Sequence, residues 1–175
     1  MSNQLPKTVD PYRLAGRGAE LRGWVPLRDM ARLGTRLASA DGVVDVSLRF
    51  GTDADNTRYV EGRLEVSLRL TCQRCLEIME LPIAQTVRLG LVTDDAGGVE
   101  RLPAHYEPLV IEDDSLDLAG MVEDEILLAL PIVPMHEQKA CAVSLAALCG
   151  GAPDPRQETH RPFAKLQGLM KARNK

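Results

Sequence analysis

Hydrophobic and polar residues alternate along three consecutive stretches of the chain, and this period of two is typical of strands with one buried face. The alternation covers residues 44–50, 60–70 and 79–91. A run of turn-forming residues, GTDADNTR, separates the first two stretches, and a short apolar patch at 109–111 can add an edge strand. Strands joined by short connections pair in antiparallel order. The pattern therefore predicts an antiparallel β-meander, which could curl into a barrel-like sheet.

Helical periodicity occurs in two places. Residues 28–39, RDMARLGTRLAS, carry apolar side chains at helical spacing. The stronger signal is EDDSLDLAGMVEDEILLALPIVP at 112–134, in which Asp114 or Ser115 can cap the first turn and Pro131 ends the helix. Helices packed on one face of a meander give an α+β fold class.

One acidic residue of the longer helix falls on its apolar side. On a helical wheel, Glu125 lies in the middle of the buried stripe, whereas Glu123 and Asp124 point to solvent. A carboxylate without a partner in an apolar core costs several kcal/mol. We predict that Glu125 forms a structural ion pair with Arg74. The alternative is that Glu125 lies near the edge of the stripe and extends into solvent.

The net charge of −4 hides an uneven distribution. Residues 1–76 carry a net +3, residues 77–160 a net −12 and residues 161–175 a net +5. Such patches either serve solubility, or they bring a basic tail to phosphates and an acidic centre to a basic protein. We predict a single domain over 1–150, followed over 151–175 by a linker and a basic amphipathic tail.

The chain shows no enzyme motif. It has no Gly-rich phosphate loop, no nucleophile elbow and no His-Glu-x-x-His pair, so we expect no catalytic residues. Aromatic residues make up only 3% of the chain, which argues against a base-stacking surface. The polar amino terminus lacks a secretion signal, and the longest apolar run is shorter than the roughly 20 residues that cross a bilayer. We therefore expect a cytoplasmic protein without membrane contact.

The cysteines allow three interpretations. Cys72 and Cys75 have the two-residue spacing of a zinc half-site, which Cys141 with either Cys149 or His136 could complete. A thioredoxin-like redox pair requires a parallel βαβ setting that this region lacks. The leading interpretation is that the thiols pack as small apolar groups at a strand end, with no cofactor bound, because no second close pair of ligands exists.

Three segments of the chain resemble the YceD family, the large ribosomal RNA subunit accumulation proteins of bacteria. They are LTCQRCLE at 70–77, LPAHYEPLVIEDDSLDLAGMVEDEILLALPIVPMH at 102–136 and RPFAKLQGLMK at 161–171. Their order and separation also match, so the resemblance extends from about residue 10 onward.

The resemblance implies a role in the synthesis, processing or stability of 23S ribosomal RNA, and hence in building the large ribosomal subunit. It implies no catalytic activity. Some members carry further close cysteine pairs near their carboxyl end and resemble metal binders. Cys141 and Cys149 are spaced too widely for that form, which argues against zinc in this chain.

Two functions therefore remain open. The first is a ribosome-biogenesis factor that contacts pre-ribosomal large-subunit RNA, or the particle that contains it, through basic side chains. The predicted RNA contacts are Arg63, Arg69, Arg74, Arg161, Lys165, Lys171 and Arg173. The second is a protein-interaction adaptor, whose acidic helix region binds a basic ribosomal protein or assembly factor and touches RNA little.

Overall fold

The structure, a computed structural model, describes residues 3–93, 96–137 and 140–143. Its strands are β1 (Asn3–Gln4), β2 (Thr8–Val9), β3 (Glu20–Pro26), β4 (Val43–Thr52), β5 (Arg58–Thr71), β6 (Ile78–Thr93), β7 (Glu107–Ile111) and β8 (Leu116–Asp117). Its helices are α1 (Pro11–Gly16), α2 (Ala31–Gly34), α3 (Ala96–Glu100) and α4 (Leu118–Ala129), with a 3-10 turn at Leu27–Asp29.

The predicted meander forms the centre of a six-stranded sheet. The strands follow the order β1-β3-β4-β5-β6-β7, and the pairs β3–β4, β4–β5 and β5–β6 are antiparallel. The alternating apolar side chains of β4 and β5 point into the core, where Phe50, Leu64 and Leu68 are fully buried. The residues between them, such as Arg49 and Arg69, are exposed. The period of two therefore identified the buried face of the sheet.

The two edges of this sheet depart from the prediction of a simple meander. Both edge strands, β1 and β7, run parallel to their neighbours, and β7 contains the apolar patch at 109–111 that was predicted to form an edge strand. A parallel neighbour needs a crossover connection, and α3 lies within the one that joins β6 to β7. Because β1 and β7 do not pair with each other among the described residues, the sheet is open rather than barrel-like. The fold is α+β with a mixed, largely antiparallel sheet.

Helix α4 begins later than the sequence predicts. Its first turn is capped by Asp117, whose Oδ1 accepts a hydrogen bond from Ala119 N at 3.1 Å. The predicted caps, Asp114 and Ser115, lie before it because β8 pairs with β2 and keeps the chain extended up to Asp117. Pro131 follows the helix end closely, as predicted.

The helix predicted over residues 28–39 is largely replaced by other structure. Only the 3-10 turn and the four residues of α2 are helical. Beyond them, Ala38 N donates to Arg69 O at 2.7 Å, and Ser39 bridges to Arg69. The backbone of residues 38 and 39 thus pairs with β5, and it cannot also extend the helix.

The predicted linker and tail at 151–175 lie outside the described residues. So do Cys149, Arg161, Lys165, Lys171 and Arg173. Within the part of the chain that the structure describes, no helix has the length and apolar character needed to cross a membrane.

Candidate metal centre

The Cys-x-x-Cys segment forms a tight turn immediately after β5. Cys72 N donates to Glu77 O, and Leu76 N donates to Cys72 O, both at 2.9 Å. Leu76 has a φ of 63°, in the left-handed region, which reverses the chain toward β6. A turn closed in this way can direct the side chains of Cys72 and Cys75 toward one point.

A second segment runs from the end of α4 to this turn. Pro134 O accepts a hydrogen bond from Gln73 N at 2.9 Å, which joins the segment to the Cys-x-x-Cys turn. Two residues later, His136 N donates to Cys72 Sγ at 3.4 Å. These contacts place His136, and then Cys141, beside the two cysteines of the turn.

Four side chains converge at this point: Cys72, Cys75, His136 and Cys141. Their potential ligand atoms lie within 4.8 Å of one another, and Cys75 Sγ is 3.3 Å from His136 Nδ1. Sulfurs bound to one tetrahedral zinc are about 3.8 Å apart, so a small contraction would suffice. Cys72 is buried and the other three are partly buried. Three thiols and an imidazole in this arrangement could hold a metal ion.

The environment of Cys72 favours its thiolate form. Burial raises the pKa of this thiol, but backbone N–H groups of Cys75, His136 and Arg74 outweigh that effect, and the pKa falls to about 5. The thiolate is the form that binds metals. For Cys75, the backbone N–H of Glu77 lowers the pKa, but burial and the neighbouring cysteines outweigh it and leave the pKa raised. Cys72 is therefore already suited to act as a ligand at neutral pH.

Arg74 belongs to this centre rather than to a buried ion pair. Its Nε donates to Cys141 Sγ at 2.9 Å, and its terminal nitrogen donates to His136 O at 3.0 Å. The predicted ion pair with Glu125 was wrong. Glu125 is buried, as predicted, but it makes a hydrogen bond with Gln85. Gln85 lies on β6, seven residues after Ile78, where the strand begins beside the Cys-x-x-Cys turn. Seven residues of extended strand span about 23 Å, so Glu125 lies far along the strand from this turn.

The carboxylate that meets an arginine is the neighbouring Glu123. The sequence placed it in solvent, but it is only 5% exposed. Its Oε2 pairs with Arg32 at 2.9 Å, and its Oε1 accepts a hydrogen bond from Leu33 N at 2.8 Å. Asp124 is exposed, as predicted, and also pairs with Arg32. The sequence did not predict the pair of Glu123 with Arg32, because a helical wheel assumes one buried face. Helix α4 packs against both β6 and α2 and so has two.

The other predicted RNA contacts within the described residues lie on the outer face of β5. Arg63 is 59% exposed and pairs with Glu65 at 2.6 Å. Arg69 is also exposed, and it lies opposite Glu80 of β6. Both arginines lie on β5, before the Cys-x-x-Cys turn that carries Arg74, the third residue predicted to act with them.

The chain is similar to known proteins over almost its whole length. A family model described as "Large ribosomal RNA subunit accumulation protein YceD" matches residues 60–170. The protein of that name from Haemophilus influenzae is 32% identical over 171 residues, which cover 95% of this chain and 96% of the relative. No solved structure matches the chain. On these two matches, the chain belongs to the YceD family.

Proposed function

We propose that this protein is a non-catalytic ribosome-biogenesis factor of the bacterial cytoplasm, which supports the synthesis, processing or stability of 23S ribosomal RNA during large-subunit assembly. The observation that carries the proposal is the similarity just described. Both the family and the relative are named for the accumulation of large ribosomal RNA, and the relative is matched over nearly its full length.

Deleting the gene should test this proposal directly. We expect the ratio of 23S to 16S ribosomal RNA to fall and free small subunits to build up in sucrose gradients. Expression of the intact chain should restore the ratio. Normal 23S levels and normal subunit profiles in the deleted strain would contradict the proposal.

We propose that the RNA contact is made by the basic tail together with Arg63 and Arg69. These two arginines are exposed on one face of the sheet, whereas Arg74 hydrogen-bonds to Cys141 and so is withdrawn from this role. The tail contributes five positive charges and no negative charge over residues 161–175. Such contacts act through phosphates and weaken as the salt concentration rises.

Filter binding to large-subunit RNA over a salt series can measure the tail's part. The variant replaces Arg161, Lys165, Lys171 and Arg173 with glutamine, which keeps the chain length. We expect its affinity to fall, and the slope of log K against log salt to decrease by up to about 3, at roughly 0.7 per contact with single-stranded RNA. The matched control replaces four exposed arginines outside the tail with glutamine, Arg13, Arg17, Arg22 and Arg28. Equal affinities for both variants would exclude the tail as the RNA contact.

A second candidate function is the protein adaptor. Its support is an exposed acidic loop before α4, which contains Glu112, Asp113 and Asp114. The two aspartates have positive φ values, which asparagine also tolerates, so Asp113→Asn with Asp114→Asn removes charge without a new backbone strain. If an adaptor is correct, this variant should lose its basic protein partner in pull-downs while its RNA affinity stays unchanged. If the variant retains every partner, this acidic loop is not the protein-binding surface.

We also propose that the cluster of three cysteines and one histidine binds one zinc ion. Thiolate and imidazole donors in a tetrahedral arrangement suit zinc, and a site with four protein ligands is typical of a structural ion. Elemental analysis of protein purified without chelators should give one zinc per chain. The double variant Cys72→Ser with Cys75→Ser should give none. Absence of zinc from the unmodified protein would contradict this assignment.

A further inference from the structure

The segment that supplies half of the cluster, residues 131–143, has little hydrophobic anchorage of its own. It follows α4, and its described residues, 131–137 and 140–143, have no regular secondary structure. Three of its apolar side chains face solvent: Ile132 is 98% exposed, Val133 is 51% exposed and Met135 is 49% exposed. Cys141 and Val143 are partly buried, and Cys141 packs against the core at the cluster itself. Burial of apolar area, the main driving force for ordering a chain, therefore contributes little between α4 and the cluster.

The hydrogen bonds of this segment all lead to one place. Among the described residues, each hydrogen bond that joins 131–143 to the rest of the chain ends on residues 72–75. The acceptors and donors on the segment are Pro134, His136 and Cys141. The Cys-x-x-Cys turn is thus the point at which the segment is attached to the sheet.

We propose that zinc bound to Cys72, Cys75, His136 and Cys141 acts as a clamp that orders residues 131–143 against the end of the sheet. This inference rests on the zinc ion proposed above. Two ligands come from each segment, and Cys75 and His136 are 61 residues apart in the chain. Joining two such distant points has an entropic cost that hydrogen bonds alone offset poorly and metal coordination offsets well.

Arg74 serves this clamp as a positioning residue. Three thiolates, a neutral imidazole and Zn²⁺ sum to a net charge of −1. The guanidinium that donates to Cys141 Sγ at 2.9 Å restores neutrality, and its second bond, to His136 O, holds the same segment. Hydrogen bonds from outside the ligand set orient metal ligands and tune metal affinity, typically by about 10–100-fold when lost. Arg74 therefore connects both ligands of the segment to the turn.

The clamp has a consequence for the rest of the chain. The segment forms one wall of a groove whose opposite wall is α2 and the end of β5. Ordering the segment therefore also fixes this wall of the groove.

Hydrogen exchange of the full-length protein can test the clamp. The exchange of backbone amides is compared in zinc-loaded protein and in protein stripped with a chelator. We expect exchange to rise by about tenfold or more within 131–143 and 72–77, while peptides from β4 and β5 stay protected, because local opening needs less free energy than global unfolding. Unchanged exchange within 131–143 would overturn the clamp, and so would a loss of protection throughout the chain.

Matched variants make the ligand set testable. His136→Ala and Cys141→Ser should each reproduce the faster exchange in zinc-containing buffer, whereas Cys149→Ser should not. Arg74→Ala should bind zinc about 10–100-fold more weakly in a competition assay, and the same change at Arg69 should leave zinc affinity unaltered. A requirement for Cys149, or equal affinities for the two arginine variants, would overturn the assignment.

The readouts separate the two proposals. If the protein binds no zinc, the zinc assignment fails. If it binds one zinc and exchange in 131–143 does not respond to its removal, only the clamp fails.

Discussion

Replacing Glu123 with alanine should weaken the fold where α4 meets α2. The first turn of any helix leaves backbone N–H groups without partners in the helix, and the residue before α2, Met30, provides no side-chain cap. Glu123 fills that role from another helix. Its Oε1 accepts a hydrogen bond from Leu33 N, and Leu33 is fully buried. Arg32, at the same turn, pairs with the other carboxylate oxygen.

The magnitude follows from the group that loses its partner. In Glu123→Ala, the buried N–H of Leu33 has no acceptor, which costs about 1–3 kcal/mol, so we expect the free energy of unfolding to fall by about 2 kcal/mol. Glu123→Gln keeps an oxygen for this N–H and should lose about half as much. Asp124→Ala is the matched control. It removes the other carboxylate that pairs with Arg32, but Asp124 is 58% exposed, so we expect no measurable change.

Urea unfolding followed by circular dichroism at pH 7 measures these differences. With a slope of about 2 kcal/mol per molar urea, the midpoint of Glu123→Ala should fall by about 1 M. The pKa of Glu123 is lowered from 4.5, since hydrogen bonds from Leu33 N and Arg32 outweigh the effect of burial, which raises it. Its charge therefore stabilises the protein above pH 4.5, and the advantage over Glu123→Gln should vanish as the pH falls through the lowered pKa. Equal midpoints for Glu123→Ala and Asp124→Ala would refute the capping role.

Further predictions concern Glu125 of α4 and the pairing of β4 with β5. Burial raises the pKa of Glu125 above 4.5, so its ionised form destabilises the fold, and Glu125→Gln should be more stable than the parent at pH 7. The gain in stability should disappear below pH 4.5, where the carboxyl is protonated in both the folded and the unfolded protein. If Glu125→Gln still melts at a higher temperature than the parent there, burial of the charge is not the cause. A Cβ at Gly62 would lie 2.0 Å from Ser47 O, so Gly62→Ala should separate β4 from β5 and lower the melting temperature markedly. Gly16→Ala, where nothing lies within 4 Å, is the control, and equal melting temperatures for the two variants would show that the pairing does not depend on this glycine.

The strands were predictable because their signal is local. Val44 and Phe50 lie on the same side of β4 whatever the neighbouring strands do, since successive side chains of a strand point to opposite faces. The helix over residues 28–39 was mispredicted although its apolar spacing was helical. Its later part hydrogen-bonds to β5 at Arg69, a contact that no local pattern shows.

The candidate site was predictable only in part, for a related reason. The spacing of Cys72 and Cys75 is a local signal, and it correctly indicated half of a possible metal site. The sequence offered His136 and Cys149 as alternatives for the remaining ligand, without a basis for choosing. The structure places His136 against Cys75, whereas Cys149 lies outside the described residues.

The sequence by itself determined the central strands β4, β5 and β6, their buried face, the edge strand at 109–111, the close spacing of Cys72 and Cys75, and the resemblance to the family. Tertiary structure decided which distant groups meet. Cys75 and His136 are 61 residues apart, and Leu33 and Glu123 are 90 residues apart. Periodicity shows on which face of its own helix or strand each residue lies. The partners of Arg74 and Glu123 depend instead on how α4 and the segment after it dock on the sheet and on α2, and that docking is the sum of many contacts between elements far apart in the chain.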